Sequence, residues 1–287
     1  MDFKNITNLN ITIVGIGLIG GSYAKAIRKN LKIKNLWAID ININVLNEAI
    51  SSGVIDKGFT DSQFPLENSD IVILCTYPNI TMDFLKNNMK YFKHNAIITD
   101  TIGIKSKIVS ESLGIMREDL EFIGGHPMSG KESIGYTNSD DNIFKDAQYI
   151  LTPNKSTSPE TINLLKQIIK GLGFKDVIEM LPQTHDEIVA FTSQLPHVIA
   201  CVLINNVKLD SKLNCVGGSF QDVTRVADIN YELWSELLYE NKNNILNELE
   251  NFIKDMNNIH DIIKYGDIGN LESFFKKSST RRKEMNT

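Results

Sequence analysis

Three histidines, an arginine and a pair of acids stand in settings where a plain fold has little use for them. Gly124-Gly125-His126-Pro127-Met128-Ser129-Gly130-Lys131-Glu132 follows the apolar run Glu121-Phe122-Ile123. An imidazole projecting from a strand end is suited to general acid–base work near neutral pH. His185-Asp186 opens a helical pattern that runs to Ser193-Gln194-Leu195-Pro196-His197. On a regular helix this interval sets the two histidines about 120° apart in azimuth. Pro196 is expected to kink the helix or end it just before His197, so the spacing does not require one shared site. Gly217-Gly218-Ser219-Phe220-Gln221-Asp222-Val223-Thr224-Arg225 places Asp222 and Arg225 on one face if the segment is helical. Taken singly, the His-Pro turn fits a structural role, each later histidine fits a capping or core role, and the Asp222–Arg225 pair fits a surface salt bridge of little consequence.

A second constellation handles anions. Gly15-Ile16-Gly17-Leu18-Ile19-Gly20 directly follows the strand-like Ile11–Val14 and opens a helical pattern. In that context Gly15 permits the tight turn, Gly17 admits a pyrophosphate to the backbone, and Gly20 lets helix and strand pack closely. Leu18 and Ile19 begin the helix, where unpaired N–H groups and the dipole favour phosphate. Asp40 ends the next strand, placed to accept hydrogen bonds from the adenosine ribose hydroxyls and to repel a 2′-phosphate. Ile41-Asn42 offers no arginine for such a phosphate, so NAD is expected rather than NADP. Asp40 also fits a helix N-cap, shared with Asn42 or Asn44. Thr76, in the turn Thr76-Tyr77-Pro78, is placed to line the same cleft.

These residues need a scaffold, and the pattern around them supplies one. From Asn10 to Pro153 short β-branched runs alternate with helical stretches: ITIVG, NLWAID, DIVILC, NAIITD, EFIGG and QYILTP. Strands separated by helices imply right-handed βαβ units and a parallel sheet covered on both faces. After Pro153 the pattern changes. Ser158-Pro159-Glu160 starts a helix that stops near Gly171 or Gly173, a strand-like FKDVIEM follows, and helical periodicity dominates from Gln183 onward. We therefore expect an α/β Rossmann domain over 1–153 followed by an all-α C-terminal dimerisation domain over 154–287. Long Leu- and Ile-rich helices, such as Tyr231 to Ile259, commonly pack in a bundle or a subunit interface. The terminal SSTRRKEMNT reads as a frayed polar tail.

Composition bounds the rest. A chain of 287 residues suits two domains, and 42% hydrophobic with 23% charged residues is ordinary for a globular protein. A formal charge of −5 gives no footprint for nucleic acid. Anionic substrates must then be held by a few placed cations. The N-terminus lacks a basic segment followed by an apolar run, and no window reaches roughly 18 apolar residues, so neither leader nor membrane span is expected and the protein reads as cytoplasmic. Cys75, Cys201 and Cys215 lie far apart without a CxxC spacing. They read as buried structural thiols, and no metal is expected.

Taken together, GIGLIGGS at 15–22, TDTIGIK at 99–105, GGHPMSGKES at 124–133, HDEIVAFTSQLPH at 185–197 and GGSFQDVTRVA at 217–227 resemble the prephenate and arogenate dehydrogenase family over nearly the whole chain. The resemblance implies that His126 hydrogen-bonds a substrate ring hydroxyl, that Arg225 holds a substrate carboxylate, and that His197 helps shape the pocket. It gives His185, Glu132, Asp222 and Ser193 supporting or gating parts, and it implies a homodimer. Two departures stand out. Many relatives have serine where Gly103 stands, so that contact must come from water, another side chain, or nothing. Gln194 occupies a position often filled by histidine, whose role cannot be transferred. Neither a regulatory ACT domain nor a chorismate mutase segment is expected on this chain.

The implied reaction removes a hydride from C4 of a cyclohexadienol while the C1 carboxylate leaves as carbon dioxide, both driven by aromatisation. The protein must position the donor carbon and relieve the hydroxyl of its proton. Arogenate, differing by a side-chain amino group, is the nearest alternative substrate. A β-hydroxyacid dehydrogenase would need a catalytic lysine in the helical domain, for which no motif is evident. A catalytically silent NAD-binding regulator would fit the loss at Gly103 but leaves His126, His197 and Arg225 without a purpose.

Overall fold

The computed structural model describes residues 6–131, 133–207 and 216–285. It begins with β1 (Asn10–Val14), α1 (Leu18–Asn30), β2 (Asn35–Ile39), α2 (Ile43–Ser51), β3 (Lys57–Phe59), α3 (Gln63–Asn68), β4 (Ile71–Leu74) and α4 (Pro78–Asn88). Then come β5 (Ile97–Asp100), α5 (Ser106–Ile115), β6 (Glu121–Pro127), β7 (Gln148–Thr152), α6 (Pro159–Gly171) and β8 (Asp176–Glu179). The strands form one sheet in the order β3-β2-β1-β4-β5-β6-β7-β8, parallel except where β6 meets β7. Seven of these strands match the runs read from the sequence; β3, with only three residues, has too little pattern to be legible.

The period of two decides the faces. Ile11 and Ile13 of β1 and Ile71 and Ile73 of β4 join one apolar cluster, whereas Val14, Val72 and Leu74 join the other. Both faces are therefore covered, as parallel strands without a solvated side require. The polar member of β1, Thr12, is fully buried and shares a hydrogen bond of 2.6 Å with the Ser69 hydroxyl.

The sheet runs beyond Pro153, where the change of pattern suggested the domain boundary. β7, α6 and β8 form a further βαβ unit, with Gln148 to Leu151 in parallel register with Asp176 to Glu179. The physical reason is the apolar stripe of α6, whose Leu164, Leu165, Ile168 and Ile169 are buried in the first cluster. Helix α6 starts as expected: the Ser158 hydroxyl accepts the Thr161 N–H at 3.2 Å, with Pro159 next.

Beyond the sheet lie α7 (Pro182–Val189), a π-helical turn over Ala190–Gln194, α8 (Leu195–Asn205), α9 (Gly218–Thr224), a 3₁₀ turn over Arg225–Ala227, and α10 (Tyr231–Glu240). Pro196 does not end the helix. A proline lacks the N–H and crowds the carbonyl four residues back, and the wider π winding just before it accommodates that clash while the helix continues.

The run Pro182–Asn205 is thereby long and apolar enough, by length and composition, to cross a membrane, with a mean hydropathy of 1.6 over an 18-residue window. This corrects the expectation that no window qualifies. Thr192, Ser193, Gln194 and His197 interrupt the apolar run, yet the average still passes.

The chain divides into two compact units, Met1–Asn241 and Lys242–Thr287. The second holds α11 (Lys242–Lys264) and α12 (Ile268–Glu284). The expected single helix from Tyr231 to Ile259 breaks at Asn241, whose buried side chain donates to the Asp186 carbonyl and to Gln194 Oε1. The tail expected to fray is helical as far as Glu284.

Candidate active site

The ends of the parallel strands place the chemistry. The loop after β1 carries Gly15 and Gly17, Thr76 follows β4, Gly103 follows β5, and His126 lies at the end of β6. All lie at carboxyl ends, where open α/β sheets form their ligand crevice.

The glycine loop fits a dinucleotide. Gly15 has φ +84°, and a Cβ there would lie 2.7 Å from Thr76 Cγ2. A Cβ on Gly20 would lie 1.9 Å from the Gly15 carbonyl oxygen, so only glycine lets α1 approach β1 this closely. A Cβ on Gly17 would meet nothing within 4 Å, which leaves its backbone open to a ligand. Helix α1 has no side-chain cap and no acid in its first turn, so its N-terminal N–H groups and dipole suit a phosphate. The Asp40 carboxylate accepts the Ile16 N–H at 2.8 Å and the Asn42 N–H at 2.9 Å. It thus fixes the glycine loop from the end of β2, while Asn42 is the residue that caps α2. Thr76 packs against Gly15, and its hydroxyl shares a hydrogen bond of 2.7 Å with Thr81.

A chain of hydrogen bonds runs behind His126. Its Nδ1 lies 2.8 Å from His185 Nε2, and His185 Nδ1 lies 2.8 Å from Asp186 Oδ1. The Asp186 carboxylate in turn accepts the backbone N–H groups of Lys105 at 2.7 Å and Ser106 at 2.8 Å. Burial, reinforced by His185 and Lys105, holds the His126 pKa well below that of a free imidazole. Burial also lowers His185, partly opposed by Asp186. Burial alone would raise Asp186, but hydrogen bonds from His185, Ser106 and Lys105 outweigh it and keep the group a carboxylate. Both imidazoles are therefore neutral at pH 7.

Strand β6 can approach this closely because of its glycines. A Cβ on Gly125 would sit 2.6 Å from the Asp100 carbonyl oxygen, and one on Gly124 would sit 2.3 Å from Thr152 Oγ1. Beneath them Lys105 and Asp100 form a fully buried ion pair. Asp100 also accepts the N–H groups of Ile102 and Gly125, which compensates its loss of water.

With Nδ1 engaged, Nε2 of His126 is the atom left for a ligand, and it faces Gly103. The nearest neighbours of a Cβ built there are Leu237 Cδ1 at 3.5 Å and His126 Nε2 at 3.6 Å. Leu237 and Trp234 lie one turn apart on α10, and Trp234 stacks on His197 with ring centroids 4.0 Å apart. Helix α10 thereby places Leu237 beside Gly103 and Trp234 against His197. His197 Nδ1 donates to the Ser193 carbonyl at 2.7 Å, so Ser193 contributes its backbone here. Gln194, in place of the frequent histidine, is 2% exposed, donates to the Leu237 carbonyl at 3.2 Å and accepts from Asn241. It ties the π turn to the end of α10.

Arg225 opens the 3₁₀ turn after α9, and both Arg225 and Asp222 are exposed. The turn packs on α8, where Cys201 Sγ meets the Ala227 carbonyl at 4.0 Å, one turn along the helix from His197. Glu132 and Cys215 lie outside the described residues. Cys75 and Cys201 are free thiols of intermediate burial, and among the described residues no group of three or more His, Cys, Asp or Glu could hold a metal. Sequence reasoning gave no role to Asp186, Lys105, Asp100, Trp234 or Asn241. The first three lie within quoted motifs, whereas Trp234 and Asn241 carry no local signal.

The family model described as prephenate dehydrogenase, nucleotide-binding domain matches residues 23–178, and the one described as prephenate dehydrogenase, dimerization domain matches residues 181–277. The chain is 31% identical to a prephenate dehydrogenase of Bacillus subtilis, over 95% of this chain and 75% of that protein. It is 30% identical to a cyclohexadienyl dehydrogenase of Zymomonas mobilis, over 97% and 96%. The crystal structure of prephenate dehydrogenase from A. aeolicus, in complex with hydroxyphenyl propionate and NAD+, superposes with a TM-score of 0.88 at 30% identity, covering 98% of this chain and all of that one. The Synechocystis arogenate dehydrogenase structure gives 0.81 at 26% identity, covering 96% and 99%.

Proposed function

Because the chain belongs to the prephenate dehydrogenase family, we propose that it oxidises and decarboxylates prephenate to 4-hydroxyphenylpyruvate with NAD, on the route to tyrosine. The observation that carries this reading is the neutral His126, backed by His185 and Asp186, with Nε2 facing the crevice at the strand ends. NAD supplies the hydride acceptor when bound. Gly15, Gly17, Gly20, Leu18 and Ile19 hold its pyrophosphate, Asp40 its adenosine ribose, and Thr76 lines the cleft.

The remaining work belongs to the side chains. His126 Nε2 accepts the proton of the ring hydroxyl as the hydride leaves C4, and returns it to that oxygen when loss of the C1 carboxylate as carbon dioxide aromatises the ring to the phenol, an effect worth roughly 100- to 10,000-fold. Arg225 engages a substrate carboxylate through its planar fork, steadied by Asp222. His197, held by Ser193 and Trp234, helps shape the pocket, and Glu132 keeps the supporting part that the family resemblance gives it. Prephenate is proposed as the substrate on the strength of two prephenate dehydrogenases at 30–31% identity; a cyclohexadienyl dehydrogenase stands at 30% and an arogenate dehydrogenase at 26%, so both substrates enter the test.

A second copy of the chain is the natural cover for the apolar surface of α7 and α8. Only 28% of the apolar window there is buried, and Phe191, Val202, Leu203 and Ile204 are exposed. A homodimer explains this face without a membrane, and the enzyme is read as cytoplasmic, with no nucleic acid partner.

The test is spectrophotometric: NADH formation with prephenate and arogenate supplied separately, each with NAD and with NADP. Turnover with prephenate and NAD at least about tenfold more efficient than any other pairing is expected. Preference for arogenate would overturn the substrate, and absence of turnover with both would overturn the enzyme reading.

A further inference from the structure

We propose that Asp186 is a positioning residue that fixes the proton of His126 on Nδ1 and so keeps Nε2 bare for the substrate hydroxyl. This deepens the reading of His126 as the base and rests on it. The argument is one of counting donors. Asp186 accepts the first free N–H groups at the start of α5, from Lys105 and Ser106, with one on each carboxylate oxygen. A carboxylate placed there has no proton to give and is favoured by the helix dipole.

His185 Nδ1, 2.8 Å from Asp186 Oδ1, must therefore be the donor of that bond. A neutral imidazole carries one N–H, so His185 Nε2 is an acceptor. The 2.8 Å contact between His185 Nε2 and His126 Nδ1 then requires the proton on His126. The second nitrogen of His126 is left with a lone pair, beside Gly103.

The Lys105 ammonium is held by Asp100, and the Asn241 amide donates to the backbone carbonyl of Asp186 rather than to its carboxylate. The orientation of the base at the end of β6 is thus set from the N-terminus of α5 through two side chains of α7. Asp186→Asn cannot satisfy this arrangement. Its NH2 must face either Ser106 N–H, or the side shared by Lys105 N–H and His185, where it would invite the opposite tautomer.

The test reads the tautomer directly by long-range ¹H–¹⁵N correlation of the histidine rings at pH 8, with the His126 signals assigned by their loss in His126→Asn. The unmodified protein is expected to show the Nδ1–H form at His126, and Asp186→Asn to move a large share of the proton to Nε2. Turnover should fall on the order of 100-fold, while the dissociation constant for NAD stays within about twofold. A purely structural part for Asp186 would leave the tautomer alone, so an unchanged Nδ1–H signal in folded Asp186→Asn overturns the proposal whatever happens to activity.

A second pair leaves the cap untouched and decides the matter even if Asp186→Asn does not fold. In His185→Gln, Asp186 orients the amide so that its oxygen accepts from His126, whereas His185→Leu offers no acceptor. The glutamine variant is expected to retain about tenfold more turnover, and equal loss in both would also refute the proposal. Failure of the base reading itself is distinguishable, because it appears as normal turnover in His126→Asn with the tautomer pattern of the unmodified protein intact.

Discussion

Gly103 offers the most direct probe of how the reacting hydroxyl is held, and the change to make is Gly103→Ser. A Cβ at this position meets Leu237 Cδ1 at 3.5 Å, His126 Nε2 at 3.6 Å and Leu237 Cδ2 at 3.7 Å, all ordinary van der Waals distances. Gly103 is not among the glycines with positive φ, so the backbone tolerates a side chain without strain. A hydroxyl one bond beyond a carbon 3.6 Å from Nε2 reaches the usual range of about 2.7–3.0 Å. It then gives the substrate hydroxyl a second polar partner at the base. A neutral hydrogen bond contributes about 0.5–1.5 kcal/mol net, which corresponds to about a 2- to 13-fold gain in kcat/KM.

The assay is initial-rate NADH formation at saturating NAD over a range of prephenate, with melting temperatures recorded to confirm an undisturbed fold. A gain within that range supports the arrangement. A loss of about tenfold or more with an unchanged melting temperature would refute it, because the reacting hydroxyl would then have to occupy the space beside Gly103 itself. An unchanged kcat/KM would also refute it, by showing that no substrate hydroxyl lies within reach of that corner.

Replacing His126 with asparagine should lower kcat far more than it raises KM, by roughly 100-fold or more, and turnover within about threefold of normal would remove it as the base. His126 and His185 both have depressed pKa values in the folded chain, whereas the unfolded chain titrates near 6.5. Below about pH 6.5 the unfolded state therefore binds more protons, so stability is full above that pH and is lost as the pH falls toward the folded values. The melting temperature should drop between pH 7.5 and 5.5, less so in His126→Asn, and equal slopes in the two proteins would contradict this. Asp40→Asn should narrow the preference for NAD over NADP by removing the charge that opposes a 2′-phosphate, as read from the ratio of kcat/KM values; an unaltered ratio would detach Asp40 from the ribose. Arg225→Lys should weaken prephenate binding and Arg225→Ala more so, by about 2–4 kcal/mol, with NAD binding unchanged by calorimetry. An unchanged KM for prephenate in Arg225→Ala would place the carboxylate site elsewhere.

Much of this molecule is written locally. The glycine loop is legible because each glycine answers a short-range demand: Gly15 for its positive φ and Gly20 for a contact with its own turn. Apart from the short β3, the alternation of strands and helices through β7 is legible because the sheet is covered on both faces, so its strands read as mostly apolar β-branched runs. His126 stands out because it follows one of those runs at a strand end. What the sequence left open depends on contacts between distant segments. Helical spacing sets His185 and His197 about 120° apart on a regular helix, and the π turn and the separate partners of each decide their places.

The division at Pro153 followed a change in pattern, while pairing of β8 with β7 carries the sheet on to Glu179. Gln194 stands where many relatives have histidine, and only its bonds to Leu237 and Asn241 show that it ties the π turn to the end of α10. Asp186 is the clearest case. Its neighbour in sequence is His185, yet its carboxylate is held by two backbone N–H groups some 80 residues away, because helix ends leave donors unsatisfied and tertiary packing chooses which acid meets them. Local patterns fix residue types and elements; the direction of a proton along a hydrogen-bonded chain exists only once the fold has brought its members together.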